Sequence, residues 1–103
     1  MIYIFWTAPS LEEAKLLSRQ VIEKKWAGCV SVIPNALSIY HWNGKIHEDC
    51  EVKVIFKTEK RFYEKIRSFV QEEGSYDVFE ISMVKVDDAN PPYLKWLEDI
   101  LEN

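Results

Sequence analysis

One stretch constrains this chain more than any other: residues 27–58, two long β-prone runs flanking Asn43-Gly44. Asn-Gly suits the two positive-φ positions of a type I′ turn, so it is a strong hairpin signal. Both flanks are rich in Val, Ile, Phe, Tyr and Trp, which fit a pleated, half-buried surface. A two-residue turn sets the register. Trp42 then faces Lys45, Tyr40 faces His47, Leu37 faces Cys50, Ile33 faces Val54 and Cys29 faces Thr58. One face is predicted to collect Phe56, Ile33, Val54, Val52, Leu37, Cys50, Ile39 and Ile46. The other takes Lys57, Lys53, Glu51, Ser38, Asp49, Tyr40, His47, Trp42 and Lys45, with Val32 and Ile55 at its base. Pro34 cannot donate to a ladder, so a bulge or bend is expected there.

The length of this ribbon matters. From Val30 to Trp42, at about 3.3 Å per residue, each arm is roughly 40 Å long. A compact domain of 103 residues has a radius of gyration of about 13 Å, hence a diameter near 34 Å. The arm outreaches the body that should cover it. Ile39, Tyr40, Trp42 and Ile46 near its tip are costly to leave in water. The simplest remedy is a second subunit, so an oligomer built through the ribbon is expected.

The rest of the chain supplies one domain, 1–103, with 48% hydrophobic residues, enough for a core. Its formal net charge of −4, with no basic cluster, argues against a nucleic-acid partner. No apolar run approaches the length of a membrane span, and Met-Ile-Tyr-Ile-Phe-Trp has no positive n-region of a secretory signal. A cytoplasmic location is expected. Cys29 and Cys50 fall roughly 26 Å apart on the ribbon, too far for an intrachain disulfide.

Ile2 to Thr7 reads as a central strand buried on both faces. Ser10 and Glu13 form a capping box opening a helix from Leu11 to Trp26, with Leu11, Ala14, Leu17, Val21 and Ile22 inward and Gly28 as its stop. Lys60 to Glu73 is a second helix, closed by Gly74, with Phe62, Ile66, Phe69 and Val70 inward. Tyr76 to Val86 reads as a strand. Asn90-Pro91 caps a short C-terminal helix carrying Tyr93, Leu94, Leu97, Ile100 and Leu101 inward. The order β-α-β-β-α-β-α is that of an α+β, ferredoxin-like βαββαβ sandwich with a long β2–β3 hairpin and an extra C-terminal helix.

Chemistry-bearing groups are few. His47 and Cys50, three apart on a strand, point to opposite faces, as do His41 and His47, so no pair converges to chelate a metal within one subunit. Cys29 and His47 are retained as metal candidates for ligation across subunits. Cys-x-x-Cys, a Gly-rich phosphate loop and a nucleophile elbow are all missing from the sequence. The loop after the first strand, Thr7-Ala8-Pro9-Ser10, has no arginine for acylphosphatase-type chemistry. A non-enzymatic protein is expected. Tyr40, Trp42, Tyr76 and Trp96 are candidates for an interface, a cleft or ordinary core. Lys57 could hold an anion in an intersubunit cleft. A small-molecule or anion sensor is therefore the alternative function.

Thr7-Ala8-Pro9, Ala27-x-Cys29, Ile33-Pro34, Ser38-Ile39-Tyr40-x-Trp42-x-Gly44-Lys45-Ile46, Glu51-Val52, Lys57-Thr58 and Tyr93-Leu94-x-Trp96-Leu97 together resemble the CutA family of divalent-cation tolerance proteins. The resemblance implies a ferredoxin-like subunit in a homotrimer whose hairpins pack on neighbouring copies. It implies a link to tolerance of copper and other heavy metals, with no cofactor required. It also implies lateral clefts similar to those of trimeric nitrogen-regulatory signal proteins. The cleft residues it carries over are Tyr40, Trp42, Glu51, Lys57, Tyr76 and Glu80. Family members commonly read His-Pro-Tyr-Glu-Val-Pro-Glu where this chain reads Gly74-Ser75-Tyr76-Asp77-Val78-Phe79-Glu80. Copper-binding members can place a cysteine and histidines at positions matching Trp6, Glu73 and Gly74. An indole and a glycine offer copper no side-chain donor.

Overall fold

A computed structural model describes residues 1–101; residues 102 and 103, the end of the expected domain, lie outside the described residues. The elements are β1 (Ile2–Ala8), α1 (Leu11–Glu23), β2 (Cys29–Trp42), β3 (Lys45–Thr58), a 3-10 turn (Lys60–Phe62), α2 (Tyr63–Glu73), β4 (Ile81–Lys85) and α3 (Pro91–Ile100). The four strands form one antiparallel sheet in the order β2-β3-β1-β4. This is the expected ferredoxin-like arrangement.

The core lies between one sheet face and the first two helices. Ile2, Ile4 and Trp6 of β1 and Val52, Val54 and Phe56 of β3 are buried on that face. Ala14, Leu17 and Val21 of α1 and Ile66 and Val70 of α2 join them in one cluster. Trp6 stacks on Phe56, with centroids 6.3 Å apart and planes 9° off parallel. On the opposite face Tyr3 and Phe5 are only half-buried, so β1 is central but not covered on both sides as expected.

Three boundaries differ from expectation: the end of α1, the start of α2, which opens at Tyr63 after the 3-10 turn rather than at Lys60, and the start of β4. Helix α1 is capped as predicted, the Glu13 amide donating to Ser10 Oγ at 3.1 Å, but it stops at Glu23 rather than Trp26. Lys25 takes the left-handed conformation, φ 60°. Its amide bonds the Ile22 carbonyl and the Trp26 amide bonds that of Val21, a Schellman stop made without glycine. Gly28 instead gives way to α3: a Cβ there would lie 2.4 Å from Leu97 Cδ1. The predicted inward Leu11 is largely exposed, and Ser18 is buried in the helix's inward stripe. Strand β4 begins at Ile81, not Tyr76, because β1 pairs with it only as far as Trp6 opposite Ile81. Asn90 does precede α3, but its side chain caps nothing. Pro91 and Pro92 carry no N–H, and the Tyr93 amide already bonds the Asn90 carbonyl.

The hairpin closes as predicted, with Asn43 at φ 52° and Gly44 at φ 75°. Near the tip the predicted pairs hold: Trp42 with Lys45, Tyr40 with His47 and Leu37 with Cys50. The bulge expected at Pro34 is present between Ile33 and Ala36, with Asn35 at φ 62°. It sets Pro34 and Asn35 against Val52 alone and shifts all pairing below it by one. Ile33 therefore pairs with Lys53, not Val54, and Cys29 pairs with Lys57, not Thr58. A one-residue slip exchanges faces. Val30 and Val32 thus pack on the core, while Ile33, predicted inside, is 47% exposed on the other face.

The molecule measures 46 × 26 × 21 Å, longer than a compact body of this size and in keeping with the overlong arm. Beyond the helices, on the face that continues the core, Leu37, Ile39 and Ile46 are 60%, 63% and 69% exposed.

Candidate functional site

The open sheet face and the segment from Ser75 to Glu80 enclose a groove of about 960 Å³. Odd-numbered residues of β3 supply one wall, because side chains on a strand alternate. Asp49, Glu51 and Lys53 follow one another up this wall, and Tyr40 and Ser38 join them across the β2 ladder. Tyr76, Asp77 and Phe79 supply the facing wall.

Two kinds of polar contact fix the groove. At its inner end Lys53 Nζ donates to Thr7 Oγ1 at 2.7 Å and to Glu80 Oε1 at 3.1 Å, and Thr7 Oγ1 donates to the same Glu80 oxygen at 2.9 Å. The Thr7 amide also bonds the Glu80 carbonyl, at 3.2 Å. Together these tie the segment before β4 to β1 and β3. Burial alone would raise Glu80. The hydrogen bonds from Lys53 and Thr7, the Lys53 charge and Ser82 outweigh it and hold the carboxyl below its ordinary value.

Further out, two tyrosines donate to two carboxylates. Tyr76 Oη bonds Glu51 Oε2 at 2.8 Å, and Tyr40 Oη bonds Asp49 Oδ2. Burial, with the Glu51 hydrogen bond behind it, pushes Tyr76 up to about 12. The hydrogen bond to Asp49 raises Tyr40. Both hydroxyls therefore stay protonated and donate to the carboxylates. His47 stacks on Tyr40, centroids 5.8 Å apart.

Of the predicted site residues, Tyr40, Trp42, Glu51, Tyr76 and Glu80 share this groove and Lys57 does not. Lys57 sits on the same face six residues from Glu51, about 20 Å down the strand, beside Tyr3 and Cys29. Lys53 is the lysine that lines the groove. Reasoning from sequence passed over Lys53 and Thr7 as site residues. The signal for Lys53 was its place opposite Thr7, which needs the β1–β3 register. Trp96 lies elsewhere, stacked on Tyr93 with centroids 5.6 Å apart.

The metal candidates do not meet. Cys29 faces Lys57 and His47 faces Tyr40, ten β3 residues or about 33 Å apart. His47 Nε2 lies 3.2 Å from the Trp42 carbonyl, so in the tautomer that donates there only Nδ1 is left for a metal. Trp6 is a core residue, and the Gly74 amide closes α2 on the Val70 carbonyl at 2.8 Å. Among the described residues no three His, Cys, Asp or Glu side chains come together as a metal site, and no helix is long and apolar enough to cross a membrane.

Fold and groove define a class: a ferredoxin-like domain with an overlong hairpin and a groove of aromatics and carboxylates beside its open sheet face. Residues 2–100 match the CutA1 divalent ion tolerance protein family, and the chain belongs to that family. It is 40% identical over 99 residues to Protein CutA of Mus musculus, covering 96% of this chain and 56% of that protein. It is 32% identical over 96 residues to the divalent-cation tolerance protein CutA of Yersinia pestis (strain Pestoides F), covering 93% and 81%. CutA1 from Pyrococcus horikoshii superimposes with a TM-score of 0.93 at 33% identity over the whole of both chains. The periplasmic divalent cation tolerance protein CutA from Archaeoglobus fulgidus gives 0.94 at 33% identity, covering 99% of this chain and 100% of that one. The chain spans about half the length of the mammalian relatives it matches. The family is described by ion tolerance rather than by a reaction.

Proposed function

We propose that this chain works as a homotrimer in divalent-cation tolerance, without catalysing a reaction, and that its groove becomes a ligand-binding cleft between subunits. The observation that carries the reading is the arm. Leu37, Ile39 and Ile46 form an apolar strip that the described residues leave largely exposed, and such strips mark association surfaces. Copper is the cation proposed, with Cys29 and His47 as donors that only a neighbouring copy could complete. A reducing, cytoplasmic compartment suits the free thiols of Cys29 and Cys50. The groove favours a cation over an anion. Asp49, Glu51, Asp77 and Glu80 line it against Lys53, and Lys57 stands outside.

Light scattering in dilute neutral buffer tests the assembly. A particle near three times the chain's 12.2 kDa is expected, and a folded monomer would overturn it. Titration calorimetry with Cu²⁺ and Zn²⁺, repeated on Cys29→Ser and His47→Ala, tests the metal. Binding weakened by either substitution is expected, and binding indifferent to both would remove these donors.

A further inference from the structure

We propose that the groove takes a linear organic polycation, a di- or polyamine, with ammonium groups on Asp49 and Glu51 and its methylene spacers along the rings of Tyr40 and Tyr76. This rests on the groove being the binding site. It goes further by naming the chemical class of the ligand.

Four features converge. The groove is long and open, about 960 Å³, and it runs along a strand rather than into the core. Two of its carboxylates sit at a fixed spacing on one strand. Asp49 and Glu51 are two residues apart on one face of β3, about 7 Å, a spacing that ammonium groups joined by short methylene runs can match. Each carboxylate is held by one oxygen only, Asp49 by Tyr40 and Glu51 by Tyr76. The other oxygen of each makes no hydrogen bond to the described residues and remains an acceptor. Finally, Tyr40, Trp42, Tyr76 and Phe79 line the groove together with the carboxylates. Ring faces attract ammonium groups and also cover methylenes.

A bare divalent ion is less well served. It requires several oxygen donors converging on one point, and no such cluster forms among the described residues. Carboxylates strung along a strand suit charges strung along a chain. Lys53 is already bonded to Glu80 and Thr7, so it closes the inner end of the groove to further cations.

The test is titration calorimetry of the full chain with spermidine, 1,4-diaminobutane and butylamine at fixed ionic strength. Spermidine should bind, and butylamine, with one ammonium, should bind at least about tenfold more weakly. Asp49→Asn and Glu51→Gln keep an acceptor for their tyrosines, so the groove should persist. Each should weaken spermidine by roughly tenfold or more, whereas Lys57→Met, outside the groove, should not. The polyamine reading falls if spermidine fails to bind, if butylamine equals it, or if both carboxylate variants bind as the parent does. Cu²⁺ or Zn²⁺ binding that Glu51→Gln abolishes, with no response to spermidine, would sink the polyamine and leave the groove as the site. If no ligand depends on Asp49 or Glu51, both readings fall.

Discussion

Ile39→Ala isolates the contribution of the arm to assembly. Ile39 lies opposite Glu48 beyond the reach of the helices and is 63% exposed in the single chain. Burying an isoleucine completely is worth about 1.5–3 kcal/mol. Roughly two thirds of that, about 1–2 kcal/mol, is available only when another copy covers the arm. A threefold assembly counts it once per protomer, so the substitution should cost about 3–6 kcal/mol per trimer. That is roughly two to four decades in the trimer dissociation constant. Sedimentation velocity across a dilution series reads this directly, with far-UV circular dichroism to show that each protomer still folds. Leu16→Ala is the control. Leu16 is 57% exposed on α1, away from the arm, and its loss should leave the assembly unchanged. If Ile39→Ala dissociates at the same concentration as the parent, the arm does not build the oligomer.

Gly28→Ala would drive a methyl to 2.4 Å from Leu97 Cδ1, so urea denaturation should show a loss of about 1–3 kcal/mol. Combined with Leu97→Ala the two losses should be less than additive, because they share one contact. Lys25→Gly should stabilise by about 0.5–1 kcal/mol, since Lys25 is held at φ 60°, where glycine meets no Cβ penalty. Glu80 has a folded-state value lowered from 4.5, so its contribution is present above that pH and lost as pH falls through the folded value. Urea midpoints should therefore drop more steeply on acidification in the parent than in Glu80→Gln; parallel curves would remove Glu80 as a stabilising ion pair.

Local chemistry made most of the fold legible. The Ser10 cap, the Asn43-Gly44 turn, the stripe of Phe62, Ile66 and Val70, and Pro91 opening α3 are each written within a few residues, and each appears in the structure. What failed depended on partners distant in sequence. Residues 76–80 alternate like a strand, but β1 turns away at Ala8 and leaves them no ladder. They are held mainly by side chains instead, through Tyr76 to Glu51 and Glu80 to Lys53, with one backbone bond from the Thr7 amide to the Glu80 carbonyl. The choice between Lys53 and Lys57 had the same origin. Both share a face by parity, and only the pairing of Thr7 with Lys53 says which one enters the groove.

The bulge reconciles two demands that a regular ribbon cannot meet together. At the root, Val30 and Val32 must face the helices, where they join the core. Near the tip, Tyr40 and Ser38 must face the groove beside Asp49. All four residues are even-numbered, so in an unbroken strand they would share one face. The extra residue between Ile33 and Ala36 lets the same strand feed the core below and the groove above. Pro34 marks where the ladder breaks, since it has no N–H to give, and Asn35 at φ 62° absorbs the extra residue in a conformation that asparagine tolerates better than most. The inversion also turns odd-numbered Leu37 and Ile39 onto the face that the helices cover lower down but cannot reach at the arm. The groove and the exposed apolar strip thus have one cause, and the chain presents its groove carboxylates and its exposed apolar strip on opposite faces of one ribbon.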